Sequence, residues 1–331
     1  MESRPTPEHA PHPVLLGVAG LGVLLVWVML GMAFGPAAVL FGIIFSAIAL
    51  ALIVRRYRFG LRTFLLATAI LGVWLGLKSS RDVRLSRALT TIEQAGGQLQ
   101  FAGRKANFPW GLWKDRYYLD FQDLKQPLSA NVFAQLQVFA PSSLRSLSLS
   151  NTGVTDQDLE FVAGLTDLEV FSLANETYAN GQLIRDRPQN KITDAGLARL
   201  RNLSKLKGID LSGTEVTDNG LKVLARMPNL IWVYLDGTKV TGPGIAHLHS
   251  NQGLRIVELN GCELEPAAYE NLIQLPNLGS LGLRNTRTTD ANLQLLQENT
   301  TLGILRLNDT DVSHDAVNQF QSIHPECKIE R

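Results

Sequence analysis

The strongest constraint on the fold is an apolar frame that recurs every 24 residues through the second half of the chain. The stretch LKGIDLSGTEVTDNGLKVLARMPN, 206–229, is followed directly by LIWVYLDGTKVTGPGIAHLHSNQG, 230–253. Both share their leucines, a Thr at the ninth place and a Val-Thr pair soon after, while the other positions differ. One such unit cannot bury its apolar face alone, so we expect successive copies to stack around a shared core. Copies begin at Leu144, Leu168, Leu206, Leu230, Leu254, Leu278 and Leu302.

Each copy divides into a strand half and a helix half. Apolar residues at the fourth and sixth places give the period-two alternation of a short strand with one buried face. Thr or Ser at the twelfth place, usually followed by Asp, indicates a helix N-terminus with an acidic first turn. We interpret the acids of that column, Asp156, Asp194, Asp218 and Asp290, as helix N-terminus charges rather than acid–base pairs.

The ninth place of each copy holds a small side chain, which we expect to satisfy buried backbone groups where the strand ends. Cys262 belongs to this column, which favours a structural role for it over catalysis. One spacing is 38 residues instead of 24 because 14 residues are inserted around 176–189. The members of the column are Thr152, Asn190, Thr214, Thr238, Cys262, Thr286 and Thr310.

These units resemble the cysteine-containing subfamily of leucine-rich repeats. Its pattern LxxLxLxxCxxITDxxLxxL is met by LRSLSLSNTGVTDQDLEFV and, after the insertion, by NKITDAGLARL. Farther upstream, RRYRFGLRTFLLATAILGVWLG and RALTTIEQAGGQLQF are similar to the membrane-proximal region of membrane-anchored leucine-rich-repeat proteins from planctomycete bacteria. The resemblance implies a bacterial source and an α/β leucine-rich-repeat solenoid with a strand and a short helix per repeat.

Transmembrane α-helices are predicted before the repeats. The uncharged runs 14–34 and 37–54 would span about 32 and 27 Å as helices, close to a hydrocarbon core of roughly 30 Å. A third run, 63–77, would cover about 22 Å, which suits either a short span or a helix lying at the interface. A cleaved signal peptide is the alternative for the first run, but its leader has one Arg against two Glu and the run is too long.

The sequence therefore predicts five regions and an integral protein of the bacterial cell membrane. Arginines between the second and third runs place that loop in the cytoplasm, and a spanning third run would export the repeats. Basic residues after the third run argue for retention, but the first cluster is denser and favours an extracytoplasmic repeat domain. The regions are a tail at 1–13, a membrane region at 14–77, a juxtamembrane helix and linker at 78–116, a degenerate capping repeat at 117–143, and the repeat domain at 144–331.

Motifs for catalysis, metals and nucleic acid are missing from the sequence. The net charge is +1, and no basic run is interleaved with stacking aromatics, so no nucleic-acid partner is predicted. His247 and His249 point in divergent directions on a helix and have no third ligand at a readable spacing, which disfavours zinc. Cys262 and Cys327 form no CxxC pair. We predict no enzyme activity, no cofactor and no metal.

Binding residues can be predicted from the strands, because residues between the leucines point to the concave face of such a solenoid. The first two copies place small residues there, namely Ser146, Ser148, Ser150, Ser172 and Ala174. Later copies place two aromatics flanked by acids, which resembles an interaction hot spot with a polar rim and favours a basic or hydroxyl-rich partner. Ordinary surface scatter is the alternative. The candidates are Asp210, Trp232, Tyr234, Asp236, Ile256, Glu258, Arg284 and Arg306.

The predicted function is non-catalytic recognition of a protein or envelope polymer by a membrane-anchored solenoid. The insertion, with Arg185, Asp186 and Arg187, is a second candidate binding element or a passive loop. A structural spacer of the cell envelope is the alternative function. A regulatory domain of a membrane enzyme ranks last, because the apolar runs contain no ionisable group. The sequence leaves ligand identity and oligomeric state open.

Overall fold

The computed structural model describes residues 83–107, 112–121, 124, 126–136, 144–175, 178–179, 182–183 and 188–331. The predicted membrane runs at 14–34, 37–54 and 63–77 lie outside this range. Within the described residues, no helix combines the length and apolar character needed to cross a bilayer.

Short strands alternate with short helices along the described chain. The helices are α1 (83–94), α2 (Ala130–Leu136), α3 (Leu159–Val162), α4 (Asp194–Arg199), α5 (Leu221–Leu224), a 3₁₀ helix (Pro243–Ser250), α6 (Pro266–Leu272), α7 (Asp290–Leu296) and α8 (His314–Ile323). The strands are β1 (Gly97–Asn107), β2 (Leu112–Phe121), β3 (Leu144–Ser148), β4 (Val170–Ser172), β5 (Tyr178–Ala179), β6 (Gln182–Leu183), β7 (Gly208–Asp210), β8 (Trp232–Tyr234), β9 (Ile256–Glu258), β10 (Ser280–Gly282), β11 (Ile304–Arg306) and β12 (Lys328–Glu330).

One long sheet runs through the described residues, in the order β1-β2-β3-β4-β7-β8-β9-β10-β11-β12. β1 and β2 are antiparallel, and every later neighbour pair is parallel. The register from β4 to β11 aligns the same place of successive copies, so that Ile209 lies beside Val233. These fourth-place residues are fully buried, as are the sixth-place leucines. The predicted α/β solenoid, with one strand and one short helix in each unit, is therefore present.

The region before the first full repeat is more ordered than a linker. The segment predicted as juxtamembrane helix and linker contains α1 and then a hairpin of β1 and β2, with Gly96 in the left-handed conformation (φ +86°) between α1 and β1. The end of β2 pairs in parallel with β3, and its Leu119 and Phe121 are buried. Within 78–116, predicted as a juxtamembrane helix and linker, the structure thus has a helix and a hairpin that extends the sheet of the repeats.

A tight turn follows each strand at the eighth place of the frame. Six of the copies hold a residue with positive φ there, and each is Gly, Asn or Asp. These residue types enter the left-handed region at the least steric cost. This column explains how the chain turns sharply away from the sheet after each strand. Its members are Asn151, Gly213, Gly237, Gly261, Asn285 and Asp309.

The ninth column satisfies backbone groups as predicted. Each Thr of the column donates its hydroxyl to the carbonyl three residues earlier, as Thr214 Oγ1 does to Leu211 at 2.6 Å. Cys262 also serves a carbonyl, with Sγ 3.1 Å from the oxygen of Leu235 in the preceding copy. Both cysteines are free and buried. Burial raises the pKa of the Cys262 thiol, which disfavours the nucleophilic thiolate.

The insertion is closed at its base by two asparagines. Asn175 Oδ1 accepts the Asn190 backbone N–H at 2.5 Å, and Asn175 Nδ2 donates to the Asn190 carbonyl at 2.8 Å. Asn190 Nδ2 in turn donates to the carbonyls of Leu149 and Leu173, each at 2.8 Å. Between these ends, β5 and β6 form a small antiparallel pair. Arg185, Asp186 and Arg187 lie outside the described residues.

The repeated aspartates bridge neighbouring copies, which corrects part of the prediction. Asp194 accepts both the backbone N–H of Thr217, at 2.8 Å, and its hydroxyl, at 2.6 Å. One copy earlier, Asp156 accepts the same two hydrogen bonds from the backbone N–H and the hydroxyl of Thr193. Each carboxylate therefore contacts the start of the next helix segment rather than acting only on its own helix. The prediction missed this link because it treated each copy separately.

Asp218 has the largest set of these bonds. It accepts the Thr241 backbone N–H and hydroxyl, at 3.1 and 2.7 Å, and the backbone N–H groups of Gly242 and Gly244, at 3.0 and 2.8 Å. Partial burial alone would raise the pKa of Asp218, but the bonds from Thr241, Gly244 and Gly242 outweigh it and lower the pKa. The ionised carboxylate therefore ties the helix side of two copies together.

Asp218→Asn should flatten the acid sensitivity of the fold. Because the folded pKa of Asp218 is lowered, its stabilisation is complete above the unfolded value of about 3.9 and is lost as pH falls through the folded pKa. The variant should be less stable than wild type at neutral pH, and the gap should narrow below about pH 4. Guanidinium unfolding from neutral pH to below about pH 4 measures the difference in free energy of unfolding between the variant and wild type. Asp311→Asn, at an exposed position, is the control. A constant gap would contradict the assigned role.

Candidate functional site

Two aromatic side chains lie side by side on the outward face of one strand of the sheet. Trp232 and Tyr234 project from the same side of β8, with ring centroids 4.7 Å apart and planes inclined by 35°. Both are half-buried. Gly208 of the neighbouring β7 makes room for the indole, because a Cβ there would lie 1.9 Å from Trp232 Cε2. The indole therefore lies across the preceding strand, and we call Trp232 and Tyr234 the aromatic patch.

Carboxylates surround the aromatic patch. Burial raises the pKa of the Tyr234 phenol, and the carboxylates of Glu258, Asp210 and Asp236 raise it further against the opposing effect of Arg306. Ile256, on the adjacent β9, is half-buried beside the patch and adds an apolar neighbour. The local field is therefore negative around a surface rich in aromatic carbon.

Two of these acids also hold the sheet surface together. Asp210 accepts the Ser212 hydroxyl at 2.7 Å and the Ser172 hydroxyl at 3.2 Å. Asp236 accepts the Asn260 backbone N–H at 2.8 Å. Each carboxylate is thereby fixed in direction, which costs a partner less ordering entropy on binding.

The charged candidates farther along the face are paired with one another. Arg306 lies 2.6 Å from Glu258 and 3.2 Å from Glu330, and Arg284 lies 2.7 Å from Glu330. Glu258 reaches Arg306 across Gly282, where a Cβ would lie 1.8 Å from Glu258 Oε2. We call these four ionic side chains the charge network. Sequence reasoning named Arg284 and Arg306 as candidates but missed Glu330, which lies at the far edge of the sheet.

The structure thus divides the eight predicted residues into two groups. Five lie in or around the aromatic patch, and three belong to the charge network. Glu258 connects the two groups, because its carboxylate raises the pKa of Tyr234 and forms an ion pair with Arg306. A ligand that used Arg284 or Arg306 would have to compete with bonds made inside the chain.

No arrangement for metal chemistry is found in the part of the chain that the structure describes. His247 and His249 lie in the 3₁₀ helix, and a ring nitrogen of His249 lies 2.9 Å from the Asn271 carbonyl oxygen. Cys327 is buried, and burial raises the pKa of its thiol. The hydrogen bond of His249 and the burial of Cys327 are therefore typical of residues with a structural role.

Comparison with known proteins gives one family match and several similar solved structures. A leucine-rich-repeat family model matches residues 202–225. A search of curated proteins gave no match. Among solved structures, similarity is found to an internalin (inlF) from Listeria monocytogenes, with 19% identity, coverage of 62% of this chain and 58% of that chain, and a TM-score of 0.45.

Two further solved structures are similar to the chain. Internalin C2 (inlC2) from Listeria monocytogenes has 21% identity and a TM-score of 0.37, over 57% of this chain and 80% of that chain. A leucine-rich-repeat protein from Leptospira interrogans has 15% identity and a TM-score of 0.32, over 60% of this chain and 62% of that chain. The chain thus spans less than two thirds of the first and third of these proteins. The leucine-rich-repeat match at residues 202–225 coincides with one unit of the strand-and-helix solenoid.

Gly208→Ala should disturb the aromatic patch without dismantling the sheet. The added methyl group collides with the indole, so Trp232 must leave its place across β7 and become more exposed. We expect a red shift of tryptophan emission that is absent when the same change is made in a Trp232→Phe background. Gly303→Ala is the matched control, because the nearest atom to its Cβ lies at an ordinary 3.5 Å. An unchanged spectrum in Gly208→Ala would show that the indole does not lie over this glycine.

Proposed function

We propose that the protein is a non-catalytic recognition protein that binds a protein or envelope polymer through the concave face of its repeats. The observation that carries the proposal is the aromatic patch, fixed over Gly208 and surrounded by oriented carboxylates. Aromatic anchors with a polar rim are the usual composition of interaction hot spots. Binding would proceed by surface complementarity, without turnover.

The chemistry of the patch favours a partner with basic or hydroxyl groups. Trp232 and Tyr234 offer ring faces that attract cations, and three nearby carboxylates add to that attraction. The same carboxylates can accept hydrogen bonds from hydroxyl groups. An acidic partner would be repelled from this part of the face and would meet Arg284 and Arg306 already engaged by acids.

The aromatic patch should carry most of the binding energy. Trp232→Ala and Tyr234→Ala should each weaken partner binding by roughly 2 kcal/mol or more, because truncation removes a central anchor. The measurement compares the envelope components retained by the immobilised wild-type chain with those retained by each variant. Ile323→Ala is the control, because this exposed side chain lies on α8, away from the strands.

The outcomes separate recognition from a spacer role. Components lost from both aromatic variants but kept by Ile323→Ala support recognition through the patch. Components kept equally by all four proteins would favour a spacer whose repeats only stack or separate neighbours. Circular dichroism of each variant shows whether the sheet is intact.

We further propose that the repeats are anchored in a bacterial cell membrane by the runs 14–34 and 37–54, and that 63–77 also spans. The support is the length and apolar character of these runs and the arginine cluster at 55–62, which favours export of the repeats. Resemblance to planctomycete membrane-anchored proteins is consistent with this arrangement.

Fusions after Arg331 test the proposed topology. An exported C-terminus should give alkaline phosphatase activity with a phosphatase fusion and no fluorescence with a cytoplasm-dependent fluorescent protein. Fluorescence without phosphatase activity would place 63–77 at the interface and the repeats in the cytoplasm. Replacing the four arginines of the 55–62 cluster with Ser should weaken the preference for an exported C-terminus if the charge of these arginines sets the topology.

A further inference from the structure

A second concave feature lies at the opposite end of the face from the charge network. A cleft of about 330 Å³ opens over β2, β3 and β4. Its volume is within the range of roughly 300–1,000 Å³ that small-ligand sites occupy. Tyr118 and Asp120 line it from β2, opposite Ser146 and Ser148 of β3 in the strand register. From the sequence alone, these serines belong only to a surface of small residues. The cleft forms because the hairpin of β1 and β2 lies beside them, and the hairpin was not predicted.

The cleft combines one exposed aromatic side chain with several short polar groups. Tyr118, on the second strand of the sheet, is 44% exposed. Gln98, on β1, adds an amide beside Asp120, and the two serines add hydroxyls. Hydroxyl and amide groups both donate and accept hydrogen bonds, as the hydroxyls of a ligand do.

Arg145 forms part of the wall and supplies a buried donor. Its side chain is 12% exposed, and its Nη1 lies 3.1 Å from Glu169 Oε1. The Arg145 Nε–H group is buried and has no hydrogen-bond acceptor among the described residues. Such a group costs free energy while it lacks an acceptor, and a ligand oxygen that came within its reach would lower that cost.

Among the described residues, the cations beside the cleft are paired with carboxylates. Arg145 and Lys207 both pair with Glu169, at 3.1 and 2.8 Å, and Lys205 pairs with Asp167. Because these ions already neutralise one another, a charged ligand would have to break existing pairs. A neutral ligand would not.

We propose that this cleft binds a neutral sugar unit, with Tyr118 against a sugar face and Ser146, Ser148 and Asp120 at its hydroxyls. Sugar rings present C–H groups on their faces and hydroxyls at their edges, which matches an exposed aromatic ring beside short polar groups. The site is separate from the aromatic patch on β8, so it goes beyond the function proposed above.

Saturation-transfer NMR with the full chain tests the proposal, using chitobiose and cellobiose as neutral probes and digalacturonate as an anionic probe. At least one neutral disaccharide should receive saturation from the wild-type protein. Tyr118→Ala should weaken that binding about tenfold by removing the aromatic contact. Ser146→Leu should abolish it by filling the cleft. Ser322→Leu, at an exposed position on α8, is the matched control and should bind as wild type does.

Each alternative result overturns the proposal. Absence of transfer to both neutral disaccharides removes the ligand class, and preferential binding of digalacturonate contradicts the inference that the cations beside the cleft are already engaged. Transfer that survives in both Tyr118→Ala and Ser146→Leu places the sugar elsewhere. Thermal unfolding shows whether Ser146→Leu and Tyr118→Ala fold, and Tyr118→Ala gives an independent reading because Tyr118 is 44% exposed. The aromatic-patch variants are not used, so failure here leaves the recognition proposal standing.

Discussion

Burial between neighbouring copies is the interaction on which the structure depends. A strand of three residues with one apolar face has too little surface to be stable alone. Placing the fourth-place residues of successive copies side by side, as in Ile209 beside Val233, converts many small faces into one continuous core. All other features act on this frame: the left-handed turn ends each strand, and the ninth-place hydroxyl satisfies a carbonyl that the turn exposes. Because the core of each copy is closed by the copies beside it, the outward residues of the copy are free to vary.

Most of the frame could be predicted from the sequence because it depends on periodicity. The buried columns and the ninth-place hydroxyls follow from spacing and local backbone rules. The hairpin of β1 and β2 could not be predicted in this way, since it occurs once and has no period. The link from Asp218 to Thr241 was also missed, although both lie in regular columns, because it crosses from one copy to the next.

The candidate site shows a different limit. The period places Trp232, Tyr234 and Glu258 on one face, as the structure confirms for their strands. It does not give the direction of long side chains. Glu258 extends over Gly282 to reach Arg306, two copies away, because the glycine leaves the space open. Rotamer choice and the size of the neighbour on the next strand decide such contacts, so charges that looked available for a partner turn out to bind each other.

The asparagine clamp at the base of the insertion has a consequence for how the array changes over time. Asn175 and Asn190 join the two ends of the extra segment, and β4 and β7 pair in the register that they would have without it. Lengthening a loop whose ends are already held together adds little closure entropy. Segments of different length or sequence can therefore be inserted or exchanged at this position without changes in the packing of the repeats. A protein engineer could use the same position to display a foreign peptide on the solenoid.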